Sequence, residues 1–288
     1  MPVSVGVSAA VSIGGSTQCF ARWVPDVNVD RVVNPDAICG NVDPNIERMG
    51  TGARRIRFSL VHDLTIPLLQ QLLPLAGSTL ATGTYTADQS LSFVEIVVNA
   101  VGAVHRYQKC YLDQLLIRGQ IGTLPVQVES TWVAQDEVED SSYVFTAGTV
   151  KRLFPFSGGV TATLAAGAFD LDRFVWVVRR NLVSSFNGAV TFSDIGQGSR
   201  QVLMAFSVPY TAANKGHYWT YRDSAAGAAL SLAVTNGTDT FTINMPKAVN
   251  NPQAPPIQGA SEEIRLPETW IAARQTTVPV FNVGVVSP

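Results

Sequence analysis

Apolar and polar positions alternate along most of this chain, and only two stretches carry the wider spacing of a helix. Arg54–Leu60 shows the alternation most cleanly: Ile56, Phe58 and Leu60 share one face, and Arg55, Arg57 and Ser59 the other. That pattern predicts a half-buried strand. Phe93–Val104, Tyr107–Arg118, Leu124–Ala134, Phe174–Val178, Gly188–Phe192 and Arg200–Pro209 read as further strands, with a turn at Ser184–Asn187. Leu230–Thr235 and Thr240–Met245 flank Asn236-Gly237, a strong hairpin signal. Phe20–Val33 reads as a strand pair broken at Pro25-Asp26, and Thr276–Pro288 as an apolar terminal strand or arm. The two helical stretches are Thr65–Gly77 and Ala212–Gly227. In the first, Leu68, Leu69, Leu72 and Leu73 form one stripe, Thr65 is placed to cap and Pro67 is tolerated in the first turn. Pro74 should bend or end that helix, and Gly77 suits its exit. The sum is a dozen or so short strands and two helices, an all-β architecture.

The pattern occurs twice. Thr131-Trp132-Val133-Ala134 aligns with Thr269-Trp270-Ile271-Ala272, within Leu124–Gln135 and Ile264–Arg274. Leu91-Ser92-Phe93 begins a strand 41 residues before Trp132, and Leu230-Ser231-Leu232 one 40 residues before Trp270. Arg55–Leu60 likewise parallels Arg200–Phe206, and each half places its helix next. A period of about 140 residues means duplicated domains, because solenoid and propeller units repeat every 20–50 or so. The division is an N-terminal arm at 1–15, a first domain at 16–140, a second at 141–275 and a C-terminal strand or arm at 276–288. The acidic run Asp136–Ser142 marks the boundary as a solvated linker. Asn34–Gly52 reads as a long loop without the acidic spacing of a calcium site, and Asn250–Gly259 as a Pro-rich extended loop with no counterpart in the first half. The alternation at Val3, Val5 and Val7 suits either an arm that finds a sheet on a neighbouring subunit or an unstructured terminus.

Composition changes this picture only slightly. Of 288 residues, 46% are apolar and 15% charged, so surface buried against partners is expected. The net charge of −2 carries no signature of a nucleic-acid-binding protein. Residues 1–145 hold 9 basic and 14 acidic side chains, and residues 146–288 hold 11 and 8, a difference that suits halves that meet each other. Met1–Gly15 lacks the basic start and long apolar core of a secretion signal, and no run is long enough for a membrane helix, so no membrane partner is expected. Cys19, Cys39 and Cys110 have no metal or redox spacing and read as buried thiols.

Catalytic chemistry is not apparent. His62, His105 and His217 form no zinc frame, and there is no nucleophile elbow or Walker loop. Ile195-Gly-Gln-Gly198 precedes a strand rather than a helix, so it reads as a turn and not a phosphate cradle. Asp170 and Asp172, at spacing two, read as a solvated strand edge rather than a glycosidase pair. Trp23, Trp132, Trp176, Trp219 and Trp270 are candidate sugar platforms, but Trp132 and Trp270 recur at one repeat position, which favours a core or subunit interface. No catalytic, cofactor-binding or metal-binding residue is assigned, no cofactor is expected, and the chain is expected not to be an enzyme.

In order and pattern, the strand Arg54–Leu60, the helix Leu68–Leu75, the strands Phe93–Val98 and Leu112–Arg118 ahead of Gly119, and the closing strand through Trp132 resemble the tail tube proteins of long-tailed, siphovirus-like bacteriophages. The second half repeats the order and ends in Glu263-Ile-Arg-Leu-Pro-Glu-Thr-Trp270. The resemblance implies two tandem β-sandwich or barrel domains, each with one flanking helix. It implies self-association: subunits pair sheet edges into rings, and a duplicated chain would give a trimer with six domain positions. Rings would stack through loops and arms, alongside tape measure, terminator and distal tail proteins, in the virion tail after assembly in the host cytoplasm. Double-stranded DNA would pass without sequence-specific binding through a lumen expected to be acidic, with Asp136–Asp140 a candidate lining. Basic side chains should avoid such a lumen, because counterion release would hold DNA there. Two rival readings are another virion β-protein, such as a decoration or baseplate component, and a tandem β-sandwich carbohydrate-binding protein.

Overall fold

The computed structural model describes residues 10–19, 22–33, 49–100, 103–122, 125–146, 152–165, 167–186, 191–211, 215–222, 226–251, 265–273 and 279–287. Most of the expected loop Asn34–Gly52, most of the Pro-rich stretch Asn250–Gly259, residues 1–9 and 276–278, and residues 187–190 of the expected turn and strand lie outside them.

The described chain is all-β with two helices. Its first part runs β1 (Ala10–Ile13), β2 (Ser16–Cys19), β3 (Arg22–Val33), β4 (Met49–Asp63), α1 (Ile66–Leu75), β5 (Ser78–Ala81), β6 (Thr84–Ala87), β7 (Phe93–Ala100), β8 (Ala103–Gln120), β9 (Gln127–Ala134) and β10 (Asp136–Glu139). Its second part runs β11 (Val160–Leu164), β12 (Gly167–Phe169), β13 (Arg173–Arg179), β14 (Leu182–Ser185), β15 (Asp194–Gln197), β16 (Gln201–Pro209), α2 (Lys215–Tyr221), β17 (Ala228–Thr235), β18 (Thr240–Asn250), β19 (Arg265–Ala272) and β20 (Asn282–Val286).

Every pairing is antiparallel, and one order of pairing appears twice. The first part pairs β3-β4-β9-β8-β7-β1-β2. The second pairs β13-β16-β19-β18-β17-β11-β12. The registers match as well. Trp132 lies opposite Phe58 and Trp270 opposite Met204, while Phe58 lies opposite Pro25 and Met204 opposite Trp176. β10 returns along the first half of β8 as β20 returns along β18. Two hairpins have no described counterpart: β5–β6 after α1, and β14–β15 between β13 and β16.

The alternation explains which faces are buried. On β9, Val128, Ser130, Trp132 and Ala134 point inward; on β13, Phe174, Trp176 and Val178 do so. One contiguous apolar cluster runs through both parts. Trp132 and Trp270 are fully buried, and each indole donates to the side chain two residues back, Ser130 Oγ at 2.9 Å and Glu268 Oε2 at 2.8 Å. The repeated tryptophans are therefore core residues with the same internal hydrogen bond.

Several expectations change. β3 continues through Pro25 instead of breaking there. Thr65 stands at the N-cap of α1, but its side chain makes no capping bond; the end of the helix is as expected, one residue after Pro74 at Leu75, with Gly77 at φ +80 in the exit. Of the expected helix Ala212–Gly227, the described part is α2 at Lys215–Tyr221, and residues 212–214 and 223–225 lie outside the described residues. Ala10–Ile13, inside the expected arm, pairs with its own chain's β2 and β7 and buries Val11 and Ile13. Leu182–Ser185 is a strand where a turn was expected to begin, and Gly196 lies within β15 rather than in a turn. The boundary run Asp136–Ser142 is, over its first four residues, β10.

Replacing Trp132 or Trp270 with alanine is expected to cost about 3–5 kcal/mol each through the cavity left behind. Denaturant unfolding should show the larger loss for Trp270→Ala, because the buried Glu268 carboxylate loses its indole donor where Trp132→Ala leaves only the Ser130 hydroxyl.

Candidate assembly interface

The two parts are joined by strand pairing. β8 is long enough to serve both. Its first half pairs with β7 and β10; its second half pairs with β9 and, on the other edge, with β13 from Gln114↔Arg179 to Gln120↔Arg173. The change of partner is made at a bulge between Leu112 and Gln114. The extra residue, Asp113, is buried. Its carbonyl accepts the Arg180 amide at 2.8 Å, and its carboxylate accepts the Leu182 amide at 2.8 Å and the Arg57 guanidinium. A bulge leaves one residue out of the ladder and bends the strand, which is what a strand turning from one partner to another needs.

Further along the join, Gly119 lies opposite Phe174. A Cβ there would come within 2.8 Å of both Phe156 and Phe174, whose rings stack at 6.0 Å. The glycine lets the two rings close over the strand.

A second ladder joins the parts on another edge. β20 pairs with β18 and also with β6, and Ala87 donates to the Phe281 carbonyl at 3.1 Å. Between the ladders, Arg180 is buried and donates to the Leu75 carbonyl at 2.8 Å, the Ser90 carbonyl at 2.6 Å and Gln197 Oε1 at 2.7 Å. Arg200 donates to the Gly77 carbonyl at 3.0 Å and to the Asp88 carbonyl. Both arginines therefore meet carbonyls at and just past the C-terminal end of α1, where a helix needs donors and favours positive charge. Burial and the neighbouring Arg200 lower the pKa of Arg180, with Asp88 and Asp113 acting against them.

At the opposite end, β3 holds the place that β13 holds in the second part, but its outer edge has no described partner strand. The Arg180 amide points to β8, so alternate positions Phe174, Trp176 and Val178 turn their backbone to that join. The matching positions on β3 are Trp23, Pro25 and Val27. Pro25, the fourth residue of β3, thus presents no donor on the open edge, a place where proline is tolerated in a sheet.

Other residues singled out in the sequence are dispersed. Asp170 and Asp172 lie in the turn before β13, and Asp172 accepts from Arg265 at 2.7 Å. His62 is buried in β4, and His105 meets Glu137 at 2.8 Å. Trp176 packs edge-on against Phe281, with centroids 5.4 Å apart, while Trp219 is exposed. Among the described residues, no three His, Cys, Asp or Glu side chains are grouped to hold a metal, and no helix is long and apolar enough to cross a membrane. Cys110 is buried, which raises its thiol pKa. The acidic run is tied into ion pairs, Arg54–Asp136 at 2.8 Å and Arg106–Asp140 at 3.0 Å. Sequence reasoning misses Asp113 and Arg180. A signal for Arg180 is present: inward positions 174, 176 and 178 continue to 180, placing a charge where an apolar side chain is expected.

No protein-family model matches the chain, and no curated protein matches it.

Arg180→Ala should lower stability by about 3 kcal/mol or more, because the Leu75 and Ser90 carbonyls lose a buried donor. Arg180→Lys should recover only part, lacking the fork that reaches several acceptors. Urea unfolding of the two variants measures both. The Ser142 hydroxyl and Arg106 hold the Asp140 carboxyl below its ordinary range. A depressed carboxyl stabilises the fold above its unfolded pKa, about 3.9, and that contribution fades as pH falls toward the folded value. Acidification through that window should loosen the end of β10, seen as a lower protection of the Asp140 amide relative to its intrinsic exchange rate at each pH, and Asp140→Asn should remove this pH dependence.

Proposed function

We propose that this chain is a structural ring-forming subunit, a tail tube protein of a long-tailed bacteriophage, in which three chains close a ring of six similar β units and rings stack into a DNA-conducting tube. One observation carries the reading: β8 of the first part adds to β13 of the second, while β3, the equivalent of β13, keeps an open edge among the described residues. If that join is repeated from chain to chain, each copy donates a strand edge to β3 of the next, and a closed ring fills the open edge of β3 in every copy. In such a ring the sheet β3-β4-β9-β8-β13-β16-β19 would be the continuous inner wall. The twofold recurrence of strand order supports a duplicated domain as its source.

The seam between chains would be weaker than the one within. β3 carries Pro25 at its open edge, where the matching position of β13 is Trp176. Prolines accept but do not donate backbone hydrogen bonds, so fewer bonds can span that seam. Virion tail proteins that set length or terminate the tube would act on this subunit in the host cytoplasm and virion.

Native mass spectrometry and negative-stain microscopy test the reading. Trimers and rings or tubes of uniform diameter are expected on concentration. Pro25→Val restores the missing donor and should move assembly to lower concentration, whereas Val27→Pro should abolish it. A chain that stays monomeric at about 100 μM, well above typical specific interface affinities, and is indifferent to Pro25→Val, would overturn the proposal.

A further inference from the structure

The side of the joined sheet that faces away from the core is rich in arginine. Outward positions alternate with the buried ones and bring Arg22, Arg55 and Arg57, Arg118, Arg173 and Arg179, and Arg265 to one face, against Asp26, Asp63 and Glu129. With the carboxylates of Asp113 and Asp172 that reach it, the face holds seven cations and five acids, a surplus of two in a chain whose net charge is −2. Arg57 and Arg265 meet the carboxylates of Asp113 and Asp172. The centre of the face is different. Arg179 donates to Gln114 Oε1 at 3.0 Å and Arg118 to Gln127 Oε1 at 3.3 Å, neutral acceptors that orient a guanidinium without cancelling its charge. Arg173 stands opposite Gln120, and a hollow of about 340 Å³ opens among Arg118, Gln120, Gln127 and Arg173.

We propose that this arginine-and-glutamine field, centred on Arg118, Arg173 and Arg179 where β8 meets β13, binds the phosphate backbone of duplex DNA without reading its sequence. Guanidinium groups match phosphate oxygens bidentately, and glutamine amides supply further donors. Arg118 lies opposite Val175, four residues from Arg179 along β13. That is roughly 13 Å at strand rise, comparable with the ~12 Å width of the major groove between its phosphate walls. The described residues that stand off this face, Leu182, Val183, Ser184, Phe186 and Phe192, lie over Arg55, Arg57 and Val133 rather than over Arg118 and Arg173, so the contact there is to backbone only. The choice of DNA as occupant rests on the tube reading; the charge of the face does not. It also reverses the expected acidic lumen: the acidic run Asp136–Asp140 belongs to β10 and its ion pairs, while the wall proposed as the inner one carries the arginines.

The test is fluorescence anisotropy of the unassembled full chain with a labelled 30-bp duplex of arbitrary sequence across a salt series, so that it reads independently of ring formation. Wild-type protein should bind in low salt and release steeply as salt rises. Arg118→Gln/Arg173→Gln/Arg179→Gln should weaken binding at least ten-fold in low salt and reduce the log–log salt slope by roughly 2–3, about 0.9 for each phosphate no longer neutralised. Arg173→Gln alone, with the fold checked by its melting temperature, should reduce it by about one. Arg152→Gln, beside Thr238 and outside the outward face of the sheet, should change neither. Binding by the triple variant within two-fold of wild type, or displacement of DNA by an equal charge of polyglutamate as readily as by unlabelled duplex, would overturn the assignment; the second result would make the face an acidic-protein site.

Discussion

One strand serving two sheets is the constraint on which the rest of the structure depends. β8 hydrogen-bonds to its own half over its first residues and to β13 over its last, and it does so because Asp113 drops out of the ladder and lets the strand bend. Without that switch the second part would present β13 as an open edge and the first part would end at β8. With it, seven strands from two similar units become one wall. The buried carboxylate of Asp113 collects donors from β4 and from the start of β14, so the bend is held from both halves at once.

The packing follows from the same join. A continuous sheet puts the inward faces of both halves over one apolar cluster, and the aromatic residues at the seam, Phe156, Phe174, Trp176 and Phe281, fill the space between them. The helix α1 lies at this seam too, and its exposed carbonyls would be a liability in a buried place. Arg180 and Arg200 meet that need from the other half. The halves therefore complete each other's hydrogen bonding and do more than touch, which makes the chain one mechanical body whatever the origin of its repeat.

Much of this is legible in the sequence where a period is at work. Alternation marks β4, β9, β16 and the β17–β18 hairpin, and the recurrence of Thr-Trp marks two equivalent strands. Signals that depend on neighbours mislead. Pro25 reads as a strand breaker, yet on an edge a missing donor costs little and β3 runs through it. Asp136–Ser142 reads as a linker by charge, but Asp136, Glu137 and Asp140 meet Arg54, His105 and Arg106 on adjacent strands, and the start of the run becomes β10. Thr65 has the chemistry of a cap, and its carbonyl accepts from the Leu69 amide at 3.0 Å, but its buried hydroxyl makes no capping bond. Asp113 is invisible because nothing local marks which residue of an alternating run will bulge.

The crossing of β20 to β6 has a consequence for synthesis. Thr84 and its partner Gly284 are separated by 200 positions. At about 5–20 residues per second on the ribosome, roughly 10–40 seconds pass before that ladder can form. For that interval the β5–β6 hairpin emerges with an edge unfilled and Leu80 already exposed. The nascent first half is then the species most open to chaperone capture or to pairing with the same hairpin on a neighbouring ribosome, and polysome density becomes a variable in how much protein matures.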